Sequence, residues 1–319
     1  MSVEPQTLRR RARGVLLVLV LAAGLAPQLP VRAGEDAATL ETERAAVDAW
    51  RTERLHSLTS DGGWLTLTGL FWLKQGDNSF GRASSNALTL DNAALADIAG
   101  SFVLTGQQVR FVAGPGSGVT HDGQPVAALD LAPDASGHPT VLESGALRFY
   151  VIERAGNLGV RVRDLNNPHR AGFRGLDYFP VSTDWVVNAR FERYPSEHRL
   201  KIVNILGMEV DMQSPGAVVF MKGGREWRLD TVLEEPGDQE LFIMFADGTS
   251  GHETYGAGRF LYVPIPQGAT VALDFNKAYN PPCALNEFAT CPLPPPQNRL
   301  KLRVTAGEKK YAGASEHHS

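Results

Sequence analysis

Two periodicities divide the chain. Between residues 36 and 58, Leu40, Val47, Trp50 and Leu55 recur on one broad apolar face, and the stretch contains neither Gly nor Pro. That pattern predicts an amphipathic helix packed on the body, with bounds near 34–59. After Ser60-Asp61-Gly62-Gly63 no segment sustains a helical period. Short β-rich runs alternate instead with Gly, Asn, Asp and Pro punctuation. Trp64 to Leu73, Leu88 to Leu90, Gln108 to Val112 and Leu147 to Ile152 read as strands, and Glu153 to Asp164 as a hairpin around Gly156-Asn157.

A second β series follows. Trp185, Val187, Ala189 and Phe191 alternate with polar neighbours, as do Trp227, Leu229 and Leu233. Alternation with period two places one face on a core and the other in water. Leu200 to Ile205, Ala217 to Met221, Leu241 to Phe245, Phe260 to Val263, Val271 to Phe275 and Leu300 to Val304 extend the series. The expected fold is mainly β: an N-terminal helix, then a β-sandwich over 60–165, then a second antiparallel β-barrel or curved sandwich over 166–308. A polar, flexible tail is expected over 309–319.

The first residues change the picture of where the protein works. Arg9, Arg10, Arg11 and Arg13 precede an apolar run from Val15 to Ala26, and Val31-Arg32-Ala33 ends the segment. This is the three-part pattern of a cleaved secretory signal, residues 1–33. The run is shorter than the roughly 20 residues a spanning helix needs, so no stable membrane anchor is expected after cleavage. A periplasmic or secreted location follows. With hydrophobic residues at 43% and charged residues at 21%, the composition is that of a globular protein. The net charge of −4 includes the basic leader, and no basic tract remains to hold nucleic acid.

Few signatures of common chemistry occur. The chain has no Gly-x-Ser-x-Gly, no phosphate-cradling loop and no His-Glu-x-x-His, since His252-Glu253 is followed by Gly at 256. No cofactor and no metal site are expected. Three polar blocks remain: Phe173 to Pro180, Asp247 to Phe260, and Asp274 onward. The last two flank one predicted strand and can approach each other. Arg174, Tyr178, Tyr255, Arg259, Asp274, Asn276, Tyr279 and Asn280 would then line a small-molecule site. His252, Glu253 and Asp274 are the candidates for acid/base work. The competing reading gives each of these residues a structural duty in a turn or an ion pair. Three functions therefore stand side by side: a ligand-binding protein, an envelope hydrolase and a structural envelope protein.

The segment DFNKAYNPPCALNEFATCPLPPPQNRL, Asp274 to Leu300, holds both cysteines and ends in stacked prolines. Six prolines from Pro281 onward exclude a continuous helix or a central strand. In an exported chain, Cys283 and Cys291 favour a disulfide across the strap, a loop closure of about 2.5 kcal/mol. Free thiols, metal binding and thiol catalysis are the alternatives, the last lacking a histidine close in sequence.

TYGAGRFL (Thr254 to Leu261), the strap, and AGEKKY (Ala306 to Tyr311) together resemble a bacterial domain-of-unknown-function family, numbered sixteen eighty-four. WLTLTGLFWLKQGDNSFG (Trp64 to Gly81) and FRGLDYFP (Phe173 to Pro180) resemble its earlier blocks. The resemblance implies homology over nearly the whole mature chain. It carries no activity and no catalytic residue.

Overall fold

The computed structural model describes residues 31–313. The expected leader lies outside them except for its last three residues, and so does the end of the tail from 314. Two compact units divide between Ala38 and Thr39, and the second is described below. The helix α1 spans Val31–Thr59. Within the second unit Val47 and Leu58 are fully buried, as an apolar stripe facing a core requires.

Eleven strands follow: β1 Leu67–Trp72, β2 Gly76–Gly81, β3 Leu88–Thr89, β4 Gly100–Thr105, β5 Gln108–Ala113, β6 Thr120–His121, β7 Gln124–Pro125, β8 Ala128–Leu131, β9 Leu142–Ser144, β10 Leu147–Arg154 and β11 Asn157–Asp164. They form two sheets, ordered β1-β11-β10-β9-β6-β7 and β3-β2-β4-β5-β8. The sheets share one apolar core, in which Phe80, Phe102 and Phe111 of one sheet pack on Phe149 of the other at 5.4, 6.2 and 6.1 Å between ring centroids. This is the expected sandwich. The predicted hairpin turn is Ala155-Gly156, with φ of 50° and 77°. Positive φ at both positions matches the right-handed twist of the flanking strands, and Gly156 adopts it without a Cβ penalty.

The helix α2, Pro168–Gly172, starts at Asn167, whose side chain accepts the His169 N–H. Beyond it come β12 Val186–Arg193, β13 Arg199–Val203, β14 Glu209–Gln213, β15 Gly216–Lys222, β16 Arg225–Thr231, β17 Glu240–Phe245, β18 Arg259–Pro264 and β19 Thr270–Asp274. One sheet runs β16-β15-β12-β19, while β13-β14 and β17-β18 are separate pairs. Among the described residues no sheet closes into a barrel, so of the two forms expected here the open one is found. The run Leu241 to Phe245 is buried on both faces. Leu241, Ile243 and Phe245 join the core shared with β12, β15 and β19, whereas Phe242 and Met244 face a second core with Ile202, Tyr255, Cys283 and Cys291. Alternation along the strand assigns its two faces to two cores.

One predicted strand is corrected. Leu300 to Val304 forms no regular ladder: beside a single parallel bridge of Arg299 with Ala246, it is tied to residues 246–248 by Leu300 N–H to Ala246 O, Gly248 N–H to Leu302 O, and Val304 N–H to the Asp247 side chain. The proline-rich strap is equally irregular and is held by side chains. Asn298, fully buried, donates to Asp230 O and Met244 O and accepts the Asp230 N–H. Asn286 donates to Leu67 O of β1, so the strap also fastens the N-terminal sandwich.

Candidate functional site

The three polar blocks meet, and the segment that joins them is residues 304–310. Phe179 N–H donates to Gly307 O, and Lys309 N–H to Asp177 O, which fixes the first block. Lys310 N–H donates to Glu253 O, and Glu308 N–H to Ala278 O, which fixes the second and third. Tyr311 packs on Phe173 at 5.8 Å between centroids. The expected tail is therefore tied down through its first residues, because their backbone groups find partners in all three blocks.

Arg259 sits at the junction and is fully buried. Its guanidinium donates to Ala306 O, to Val304 O at 2.9 Å and to Asp247 Oδ1 at 3.2 Å. It lies in a filled interior and pairs with Asp247, not Asp274. Asp247 is spent in the same knot, accepting from Thr249 and from Val304 N–H. The expected binding role of Arg259 gives way to a structural one here: it neutralises a buried acid and satisfies carbonyls that no ladder reaches.

Asn276 is likewise a stitch, donating to Ser182 O at 2.9 Å and accepting Ser182 N–H at 3.1 Å. Asp274 accepts from Asn276 N–H at 2.9 Å and pairs with Lys277 at 3.1 Å. It also lies beside Glu43 of α1. Burial, then the Asp274 carboxylate, raises the Glu43 pKa above the ordinary carboxylate value, with Lys277 opposing. Tyr255 is buried and its hydroxyl donates to Cys283 O at 3.4 Å. Arg174 and His252 are exposed. Glu253 is exposed and pairs with Arg303. His252, Glu253 and Asp274 thus have separate surroundings and share no hydrogen bond.

Between α1 and these blocks runs a polar seam that the periodicity of the helix did not announce. Glu43, Trp50, Arg51 and Arg54 fall on the stripe that also carries Val47 and Leu58. The Arg51 guanidinium lies 4.1 Å from the Tyr178 ring centroid and donates to Phe179 O. Arg54 lies 4.5 Å from the Tyr279 centroid, donates to Asn280 O at 2.8 Å, and pairs with Glu308 Oε1 at 3.1 Å. Glu308 Oε2 accepts Asn280 N–H at 2.7 Å. Burial pushes the Glu308 carboxyl up, against Arg54, the Asn280 N–H and Arg259. Burial, then Glu308, lifts the Tyr178 phenol to about 12, against Arg54 and Arg51. Burial also raises Tyr279.

Three buried polar atoms along this seam have no hydrogen-bond partner, Arg51 Nε, Tyr178 OH and Asn280 Oδ1, while the carboxyls of Glu43 and Asp274 share a hydrogen bond with each other. Asn280 is fully buried and donates only to Lys309 O with its amide. Of the seam residues, Tyr178, Asp274, Tyr279 and Asn280 stand out in the sequence, while Glu43, Arg51, Arg54 and Glu308 do not. Glu308 lay inside the AGEKKY block, the one available signal. Among the described residues no group of three or more His, Cys, Asp and Glu gathers to hold a metal.

Cys283 and Cys291 are buried free thiols in this structure, with Cys283 N–H donating to Cys291 Sγ at 3.0 Å. The expected disulfide is not shown.

The architecture is that of a mainly β protein: a helix, two regions of stacked antiparallel sheet, and a proline-rich strap. Residues 171–309 match a family described as "Protein of unknown function (DUF1684)", so the resemblance drawn from the blocks is shown for this C-terminal region. The Trp64 to Gly81 block lies outside the match. An uncharacterized protein of Haloarcula marismortui, solved by solution NMR, is 30% identical over 44% of this chain and 78% of its own, with a TM-score of 0.38. No curated protein matches the chain.

Proposed function

We propose that this is an exported binding protein that takes a small polar molecule along the seam between α1 and the C-terminal β region. The observation that carries the reading is the group of unpartnered buried atoms on Arg51, Tyr178 and Asn280. Each such group costs about 1–3 kcal/mol if nothing meets it. Asn280 Oδ1 requires a donor and Arg51 Nε an acceptor, while Tyr178 OH serves as either. A zwitterionic or polyhydroxylated molecule supplies both kinds, and the rings of Trp50, Tyr178 and Tyr279 supply walls for its apolar parts. The basic leader, Arg9 to Ala33, supports export to the periplasm or beyond.

The test is a native mass-spectrometry and thermal-shift screen of the mature protein against amino acids, sugars and polyols. Binding of one class, weakened at least tenfold by Tyr178→Phe and Asn280→Asp, is the expected result. If no compound binds and Tyr178→Phe only raises the melting temperature, the phenol is a structural cost and the reading fails. Fractionation with N-terminal sequencing checks export.

One observation favours the hydrolase alternative. Two carboxyls in contact, one with a raised pKa, form an acid/base pair, and Glu43 beside Asp274 is such a pair. In that reading Glu43 and Asp274 replace His252 and Glu253 as the working acids. An activity that survives both Glu43→Gln and Asp274→Asn eliminates it.

A further inference from the structure

Arg161, in β11, is only 2% exposed and has no carboxylate partner. The charged or titratable groups that face it are Arg154, Arg163, Tyr150 and the thiol of Cys291. Two of these repel it. Its side chain hydrogen-bonds Tyr150, its Nη2 reaches Thr290 Oγ1 at 3.4 Å, its guanidinium lies 5.5 Å from the Trp64 ring centroid, and its Nε has no partner. A guanidinium does not give up its proton in a protein, so this cation is buried with its charge intact. Leaving it uncompensated is among the costlier defects a fold can carry.

Thr290 precedes Cys291, so Arg161 comes from the other β region to the residue next to the thiol pair. The two thiols share a hydrogen bond, and Cys283 N–H donates to Cys291 Sγ at 3.0 Å. Tyr255 sits against Cys283. Sequence spacing gave no activating group near either cysteine. The fold brings a cation from 130 residues before Cys291 and a phenol from 28 residues before Cys283.

We infer that Cys283 and Cys291 form a reversible thiol–disulfide couple, with the buried Arg161 as the cation that stabilises its thiolate, reacting with small disulfides. The couple shares a single negative charge, and its first proton leaves from the pair rather than from one residue. The surroundings agree. Cys283 is lowered, chiefly by the hydrogen bond from Cys291, while Cys291 is raised by burial and by the neighbouring sulfur, with the Cys283 N–H and then Arg161 opposing.

The chemistry balances as an exchange. The Cys283 thiolate attacks one sulfur of the small disulfide; the S–S bond breaks, and the far sulfur leaves and takes a proton. Cys291 then gives up its proton and attacks Cys283 sulfur. The mixed disulfide breaks and the second small thiol leaves. Two protein thiols are oxidised to one disulfide, and one small disulfide is reduced to two thiols. Both cysteines are nearly buried, at 7% and 4% exposure, which selects a low-molecular-weight disulfide over a folded protein's. Oxidation also removes the anion that offsets Arg161. The disulfide is therefore easier to reduce than a structural one, and oxidation loosens the seam between strap and N-terminal sandwich. This inference is independent of the ligand seam at α1.

The experiment uses the reduced full mature chain. Thiolate absorbance is followed across pH, and the dithiol is equilibrated in buffers of reduced and oxidised glutathione with mass readout. One thiolate should titrate below the ordinary cysteine value of about 8.5. Arg161→Met should raise that titration by about one unit or more and shift the glutathione equilibrium roughly tenfold toward the disulfide. Arg161→Lys should restore most of both. A wild-type titration at or above the ordinary value overturns the inference, even where Arg161→Met fails to fold. So does a folded Arg161→Met protein with unchanged titration and equilibrium.

Discussion

The two β regions solve the same problem by different means. In the N-terminal sandwich the sheets satisfy their own backbone groups through ladders, and four phenylalanines, at 80, 102, 111 and 149, fill the space between them. The C-terminal region has a comparable apolar core, but its strap and its 304–310 segment have no ladder. Their carbonyls and amides are met by Arg259, Asn280 and Glu308, while Asn276 and Asn298 of the strap bond the backbones of Ser182, Asp230 and Met244, and each of the five is at most 1% exposed. Backbone polar groups must be paired wherever they are buried. A region that gives up regular pairing therefore needs polar side chains inside. Density of polar residues in a sequence block marks irregular backbone as readily as it marks a binding site.

The contrast is broken most sharply by removing one member of each kind. Arg259→Ala strips a buried pair and the donors for the 304–308 carbonyls, so it should cost about 5 kcal/mol, the upper range for breaking a buried ion pair. Phe149→Ala leaves a cavity among ring partners and should cost about 4 kcal/mol. Urea unfolding gives the magnitudes and hydrogen exchange gives the location. Arg259→Ala should open residues 244–310 first, and Phe149→Ala the β4, β5 and β10 strands. An Arg259→Ala loss below about 1 kcal/mol would mean that the junction is not the keystone described.

The same contrast explains what was legible beforehand. Strands were, because alternation is a local signal: Leu241 to Phe245, and the hairpin at Gly156, can be read from adjacent residues. The three blocks were legible as unusual chemistry. Their meeting point was not, since it is made by a segment that looks like a polar tail. The Arg54–Glu308 pair spans 254 positions, and no local pattern marks a partner at that distance. Leu300 to Val304 misled because apolar residues also occur where one bridge and a side-chain bond to a neighbouring segment, here residues 246–248, replace a regular ladder. The surroundings of the cysteines were not legible either: Arg161, the cation nearest Thr290 and Cys291, comes from the other region, 130 positions before Cys291.

A smaller effect separates the regions by pH. The Glu308 pKa is raised in the folded chain by burial, so the folded state binds its proton more tightly than the unfolded state does. The stability this contributes is fully present below the unfolded value of about 4.3 and is lost as pH rises through the folded value. Glu43 acts with the same sign. Stability of Glu308→Gln minus wild type should therefore rise as pH climbs from about 4, by up to about 1.4 kcal/mol for each unit the folded value is raised. Chemical denaturation at stepped pH measures the difference. A flat or falling difference would mean that Arg54 outweighs burial and holds the carboxyl ionised.

The smallest effect comes from one loop. Asp247 and Glu253 both belong to the second polar block, and each pairs with an arginine, Arg259 and Arg303. The first pair has side chains at 0% exposure on both sides, the second at 57% for Arg303 and 41% for Glu253. Water screens the exposed charges, and holding two long side chains together costs entropy, so such pairs contribute little. Glu253→Gln should change stability by less than about 0.5 kcal/mol and should lose even that in high salt. Asp247→Asn, six positions earlier, should cost several kcal/mol because it leaves Arg259 buried without its counter-charge. A Glu253→Gln loss approaching the Asp247→Asn loss would show that the loop closes over its exposed pair. Glu253 would then return to the working site from the surface position it has here.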